Sequence, residues 1–323
     1  MPDSTSQPVG YLCGRWVNHS EMSVSVDDAG FRQAVTVVER LRTYNRVPWQ
    51  VDLHLRRWQS SLDYLGIVGT PPPDEMRSLM NQLLVRNRDW DSATDDVGIT
   101  WFATPGNVGI DAADRLPTIG MHLNRLDDAA HRRRWATGQP LVVTSVCQPS
   151  PDAWSRSIKT RCRLHYFRAD QIARSVHPLA AGVLVDADGS ITETSIANLA
   201  IVESGIITSP PEDQVLPGVT QKMVQQWAAA ESIPWRKQRL TPSRLVAADQ
   251  VLLMGTDAGL WFASDVRIWA SGSKPASDFV PGVDCGNANL ANPSSGTEIP
   301  KAAGGDVFQR LFAHGPWNFN VAD

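Results

Sequence analysis

The sequence predicts an α+β chain folded as two domains. Three observations carry that expectation. The chain has 323 residues, 42% of them apolar, which exceeds the usual size of one hydrophobic core and is ample to fill two. Short strand-type runs broken by turn residues, as antiparallel sheet requires, accompany amphipathic helical periods. A charged stretch at 127–139, DDAAHRRRWATGQ, has no clear apolar period and reads as the crossing between domains. The expected layout is a smaller N-terminal α/β domain over 1–126 and a larger C-terminal domain over 140–323, β-rich with flanking helices.

In the first block, YLCGRWVNHSEMSVSVDDAGF alternates β-type runs with turn residues, and VTVVERLRTYNRVPWQV continues the pattern with a turn at Tyr44-Asn45. In VDLHLRRWQSSLDYLG, Leu55, Trp58, Leu62 and Leu65 fall on one helical stripe while Arg56, Gln59 and Asp63 fall elsewhere, so a helix is expected there, ended by Pro71–Pro73. DEMRSLMNQLLVRN reads as a second helix, and VGITWFATPGNVG and PTIGMHLNRL read as strands. In the second block the expected elements are a strand at PLVVTSVC, a helix over Lys159–Val176, hairpin strands at AGVLVDADGS and LAIVESGIIT, a helix at VTQKMVQQWAAAES and a strand at ADQVLLMGT. The Ser-, Pro-, Gly- and Asn-rich stretch at about 271–305 reads as a long loop before a closing helix at VFQRLFAH.

A formal net charge of −4 and a pI near 6.0 give no electrostatic reason to expect nucleic acid or an anionic membrane as partner. A small molecule is the expected partner. The four cysteines, Cys13, Cys147, Cys162 and Cys285, are widely spaced with no C-x-x-C pair, which points away from a metal site and towards a reducing compartment. The polar start, MPDSTSQPVG, and the lack of an apolar run of about 18 residues fit a cytoplasmic chain.

Lys159, in WSRSIKTRCRLHYFRAD, is on its own an ordinary surface cation. As a nucleophile it needs a neutral amine near pH 7, which neighbouring positive charge from Arg161, Arg163 and a helix N-terminus favours. Downstream, Glu193-Thr-Ser-Ile-Ala-Asn198-Leu precedes Thr208 and then Leu216-Pro-Gly218-Val219-Thr220, and the last three residues open a helix. Such an N-terminus offers unpaired N–H groups and a positive dipole end to an anion.

Taken together and in this order, these stretches resemble the signature of the class IV, fold-type IV, pyridoxal-phosphate enzymes. That family includes branched-chain aminotransferases, D-amino acid aminotransferases and aminodeoxychorismate lyases. The resemblance spans roughly Gly10 to Pro275 and implies the two-domain fold of that group. It implies that pyridoxal 5'-phosphate is held as a Schiff base on Lys159, with Glu193 against the ring nitrogen. Gly218, Val219 and Thr220, then Gly255-Thr256, and Arg57 of His54-Leu-Arg-Arg57 would take the phosphate, and Asn198 would orient the loop behind the cofactor. The segment Asp28-Ala-Gly-Phe31 through Val38-Glu39-Arg40-Leu-Arg42 resembles the family's substrate-side strands. Val38, Arg40, Thr100, Asp257 and Ala258 are therefore expected on the substrate side. A homodimer is also implied.

The chain departs from the family pattern at Ala34, Val38, Thr100, Pro105, Ala200 and Gln221, where a glycine, an aromatic, two arginines, a second aromatic and a basic residue are usual. None of these touches the lysine, the glutamate or the phosphate grip, so they bear on the choice of substrate. The implied activity is amino transfer between an amino acid and a 2-oxo acid. The alternative is 4-amino-4-deoxychorismate lyase, towards which Lys159-Thr-Arg-Cys-Arg163-Leu164 leans and from which Arg40 leans away. A third reading is a catalytically silent cofactor-binding relative, against which the retained Lys159 and Glu193 count.

Overall fold

The computed structural model describes residues 7–90, 96–111, 114–269 and 305–317. By contacts the chain divides into two compact units, Met1–Asp128 with Arg156–Arg163, and Ala129–Ser155 with Leu164–Asp323. The segment that carries Lys159 therefore groups with the first unit, whereas its place in the chain assigns it to the second. Most of the Ser/Pro/Gly-rich stretch 271–305 lies outside the described residues.

In the first unit the strands are β1 (Val9–Leu12), β2 (Arg15–Asn18), β3 (Val37–Tyr44), β4 (Val47–Pro48), β5 (Gly98–Thr104) and β6 (Thr118–Asn124), accompanied by a single turn of helix, α1 (Ala29–Arg32), and by α2 (Val51–Leu65) and α3 (Pro73–Arg86). They form an antiparallel sheet in the order β2-β1-β6-β5-β3-β4. Alternation along the strands sends Val37, Leu41, Ile99, Trp101, Ala103, Met121 and Leu123 into a core with Leu55, Trp58, Leu62, Met76, Met80 and Leu83 from the two helices. Burial of each large side chain contributes about 1.5–3 kcal/mol.

The expected stripe on α2 is present, but the prolines do not end that helix. Gly66, at φ +64°, turns the chain into the left-handed region and its N–H caps the carbonyls of Leu62 and Asp63. Pro73 opens α3, where a missing N–H costs nothing.

In the second unit, α4 (Asp128–Thr137) occupies the stretch expected as an irregular crossing, and it buries Ala130 and His131. There follow β7 (Gln139–Cys147), α5 (Leu164–Val176), β8 (Ala181–Val185), β9 (Ile191–Thr194), β10 (Asn198–Glu203), β11 (Ile206–Ser209), α6 (Val219–Ala230), β12 (Trp235–Lys237), α7 (Pro242–Ala247), β13 (Gln250–Gly255), β14 (Gly259–Ile268) and α8 (Asp306–Phe312). The sheet order is β12-β11-β10-β13-β14-β7-β8-β9, with parallel pairs at β14/β7, β7/β8 and β11/β12. Its core gathers Leu141, Val183, Ile191, Leu199, Ile201, Leu253, Trp261 and Val266.

The helix expected from Lys159 begins only at Leu164. Residues 159–161 instead run antiparallel to the start of β3: Val38 donates its N–H to the Lys159 carbonyl at 3.0 Å, Arg161 donates to the Thr36 carbonyl at 3.0 Å, and Val37 bridges Thr160. Backbone pairing with a distant strand outcompetes one more turn of helix. Among the described residues no helix is long and apolar enough to cross a membrane.

Candidate active site

In the first unit, strand pairing fixes where Lys159 points. Val37 stands opposite Thr160, so Lys159 stands opposite Val38 and shares its side of the sheet. Register carries that side across the strands: Val38 faces Phe102 and then Gly120, and Arg40 faces Thr100 and then His122. Four residues expected at the reaction, Lys159, Val38, Arg40 and Thr100, thus project from one sheet face. Lys159 and Arg40 are partly exposed, whereas Val38 and Thr100 are buried.

Glu39 points to the opposite face, into the core side, and is fully buried there with His54 and Arg57 of α2. Arg57 Nε donates to Glu39 Oε1 at 2.6 Å and its Nη2 donates to Oε2 at 2.8 Å, a bidentate fork. His54 Nδ1 lies 2.9 Å from Oε2. Burial by itself would raise the Glu39 pKa, but the Arg57 charge and the hydrogen bonds from Arg57 and His54 outweigh it and hold the carboxyl at about 2. Burial lowers the His54 pKa, aided by the Arg57 and Lys159 charges and opposed by Glu39. The ring is therefore neutral at pH 7 and donates from Nδ1. The Arg57 carbonyl accepts the Ser61 hydroxyl at 2.9 Å, and Ser61 Oγ accepts the Lys159 N–H at 3.2 Å, so one turn of α2 connects the arginine to the lysine backbone.

In the second unit, Glu193 is the penultimate residue of β9 and is 5% exposed. Its Oε1 accepts from Tyr166 Oη at 2.5 Å and Gln148 Nε2 at 3.1 Å; its Oε2 accepts from Asn198 Nδ2 at 3.0 Å and the Leu216 N–H at 3.1 Å. Four donors fix the carboxylate in place. Asn198 also donates to the Leu216 carbonyl at 2.9 Å, and so ties β9 and β10 to the Leu216-Pro-Gly218 approach to α6.

The start of α6 fits an anion. Gly218 is its N-cap with no side-chain cap, and the Thr220 hydroxyl in the first turn is buried without a hydrogen-bond partner. A buried hydroxyl in that state costs about 1–3 kcal/mol, which an oxyanion at the helix N-terminus would remove. A side chain at Gly218 would collide with Asn198 Oδ1, and one at Gly255 would collide with the Ile196 carbonyl, so both positions admit only glycine at this approach.

Thr256, Asp257 and Ala258 form the turn between β13 and β14. Trp135 Nε1 donates to the Ala258 carbonyl at 2.8 Å. Gly259, at φ +70°, lies flat against the ring of the fully buried Trp317 just beyond α8.

Sequence spacing places His54 and Arg57 one turn apart on α2, yet their shared partner Glu39 is not legible from it. Nor are Ser61, Tyr166, Gln148, Trp135 or Trp317, which reach their partners across long chain separations. Among the described residues, no cluster of His, Cys, Asp or Glu side chains is placed to hold a metal ion.

The family described as Amino-transferase class IV matches residues 36–266. D-alanine aminotransferase of Staphylococcus epidermidis is 24% identical over 250 residues, which cover 77% of this chain and 85% of that protein. Aminodeoxychorismate lyase of Bacillus subtilis is 25% identical over 248 residues, covering 74% of this chain and 80% of that one. The crystal structure of Escherichia coli branched-chain amino acid aminotransferase superposes with a TM-score of 0.74 at 21% identity, over 80% of this chain and 86% of that chain. With the family's match running from the strand that faces Lys159 to the end of the second sheet, the chain belongs to the class IV aminotransferases.

Proposed function

We propose that the protein moves an amino group between an amino acid and a 2-oxo acid on pyridoxal 5'-phosphate. The observation that carries this reading is the single sheet face from which Lys159, Val38, Arg40 and Thr100 project. An amine able to form the covalent link there stands beside side chains that can contact a substrate.

In this reading Lys159 is the catalytic residue and the covalent anchor, and Glu193 is the anion beside the ring nitrogen. The phosphate is held by the N–H groups opening α6 after Gly218, with Val219 and Thr220, by Gly255-Thr256, and by Arg57, whose orientation Glu39 sets. Asn198 keeps the Leu216–Gly218 approach against Glu193. Asp257 and Ala258 belong to the substrate side, on a turn that Trp135 holds from behind. When bound, the cofactor withdraws the electron pair left at the substrate Cα. Lys159 Nζ would be the base placed to accept the Cα proton, and a ping-pong pattern is expected. The free thiols of Cys13, Cys147 and Cys162 suit the cytoplasm, and a homodimer is part of the same proposal on resemblance alone.

The second reading, elimination of pyruvate from aminodeoxychorismate, draws on Arg163-Leu164 directly after the lysine segment and on the similarity to the lyase. The two separate in one assay. Purified protein given L- or D-amino acids and 2-oxoglutarate is expected to bleach its visible absorption and form a new amino acid. Formation of 4-aminobenzoate without amino transfer reverses the assignment.

Thr220→Val keeps the shape and deletes the hydroxyl. It is expected to raise the Kd for pyridoxal 5'-phosphate about tenfold, from roughly 1–1.5 kcal/mol of lost hydrogen bonding. Fluorescence titration measures this, and an unchanged Kd would remove Thr220 from the phosphate site.

A further inference from the structure

The segment 305–317 of the second unit lies beyond the span 36–266 that the family matches, yet it reaches both elements assigned to the phosphate. Its helix α8 buries Val307, Phe308, Leu311 and Phe312. Phe308 packs edge-on against Phe262 of β14 with ring centroids 5.0 Å apart, and its N–H donates at 3.3 Å to Oε1 of Gln250, where β13 starts. The helix is thereby fixed to the strands that lead into and out of the Thr256–Ala258 turn.

Aromatic side chains carry the contact on to the turn itself. Phe312 stands between Trp135 and Trp317, with its ring centroid 5.9 Å from the first and 6.0 Å from the second. Trp135 holds the Ala258 carbonyl at 2.8 Å. Trp317 is fully buried, and its indole occupies the space that a side chain at Gly259 would need. Two successive residues at the end of the turn are thus backed by tryptophans.

The same segment grips α6. Trp317 meets Trp227 of that helix in a T-shaped contact at 5.5 Å, and His314 stacks on the Trp227 ring at 6.3 Å with planes at 16°. At the C-cap of α6, Glu231 accepts from Arg310 Nη2 at 3.0 Å through one carboxylate oxygen, and His314 Nε2 lies 2.6 Å from the other. These ion pairs are exposed and contribute little alone, whereas the buried indole supplies a large packed surface. Because α6 is one helix of 12 residues, holding Trp227 also holds its start, about 12 Å away, where Val219 and Thr220 are buried.

We propose that Trp317 is a positioning residue for the phosphate grip: acting through Gly259 and Trp227, it sets the spacing between the Thr256–Ala258 turn and the start of α6. This rests on the assignment of those two elements to the phosphate under the proposed function. An anion held from two sides loses bond geometry when either side shifts by a fraction of an ångström, since hydrogen bonds weaken steeply with distance and angle.

The test compares binding of pyridoxal 5'-phosphate with that of pyridoxal, which lacks the phosphate, to the full chain by fluorescence titration. The wild type is expected to bind the phosphate ester about a hundredfold or more tightly, from several charge-assisted hydrogen bonds. Trp317→Leu is expected to cut that ratio about tenfold while pyridoxal binds as before, and Trp317→Phe to restore most of it. Leu245→Ala, in the core of the same unit but away from this segment, lowers the melting temperature and leaves the ratio intact. If Trp317→Leu gives no cooperative melting curve, Phe312→Leu carries the test with a smaller loss in the same direction. In the chain without cofactor, amide exchange at 219–222 and 256–259 is expected to speed up in Trp317→Leu and not in Leu245→Ala. An unchanged ratio, equal weakening of both ligands, an equal loss of the ratio in Leu245→Ala, or unaltered exchange at those amides overturns the proposal alone. A wild type with no preference for the phosphate ester removes the grip itself, and the assignment of its residues falls together with the proposal.

Discussion

Lys159→Ala is expected to abolish amino transfer, with a loss of at least about 10⁴-fold, because the covalent anchor and the Cα proton acceptor vanish together. The visible absorption of bound pyridoxal 5'-phosphate should go with it. Folding should survive, within about 1 kcal/mol of the wild type. Main-chain bonds hold this segment to the unit: the Lys159 N–H donates to Ser61 Oγ and its carbonyl accepts from Val38, and alanine retains both. Spectroscopy and a melting curve on the same sample check the prediction. Retained colour, with borohydride trapping the cofactor on Lys222 or Lys237, would show that the anchor lies elsewhere.

The second large effect concerns Glu39, whose expected role is to hold Arg57 rather than to touch substrate. Glu39→Ala strips the carboxylate from a buried guanidinium and a buried imidazole, and is expected to destabilise the chain by about 3–5 kcal/mol. The pH dependence follows from the two shifted groups. Glu39 has its folded pKa lowered from 4.5 to about 2, so its contribution is fully present above 4.5 and is lost as pH falls towards 2. That contribution is on the order of 3 kcal/mol. His54, lowered from 6.5, acts in the same sense, because the unfolded chain takes up its proton first and stability declines as pH falls below 6.5. Chemical denaturation across pH 7 to 3 should therefore show stability falling in the wild type. In Glu39→Gln the portion below 4.5 should be missing. Parallel curves for the two proteins would refute the assigned ionisation.

Local pattern carried much of the architecture. The stripe of Leu55, Trp58 and Leu62 marks α2, the apolar runs mark β5, β6, β7 and β13, and Gly218-Val219-Thr220 marks the start of α6, because each signal spans only a few residues. Elements whose signal is ambiguous are not legible locally. The stretch before β7 lacks an apolar period and still forms α4, since burying Ala130 and His131 on one side is enough. The basic run after Lys159 reads as helical, yet its first residues pair with β3.

For the site, the chain by itself determined the reactive types and their order: a lysine, a glutamate, an asparagine, and a helix opening on glycine and threonine. The tertiary structure alone decided which of them act on which. Strand register, set by pairs as far apart in the chain as Val37 and Thr160, put Arg40, Thr100 and His122 in one row on the side of Lys159 and turned Glu39 away to grip Arg57. The physical reason is that side chains alternate strictly along a strand. A shift of one residue in pairing would exchange the two faces, and pairing is a long-range property that no short stretch of sequence encodes.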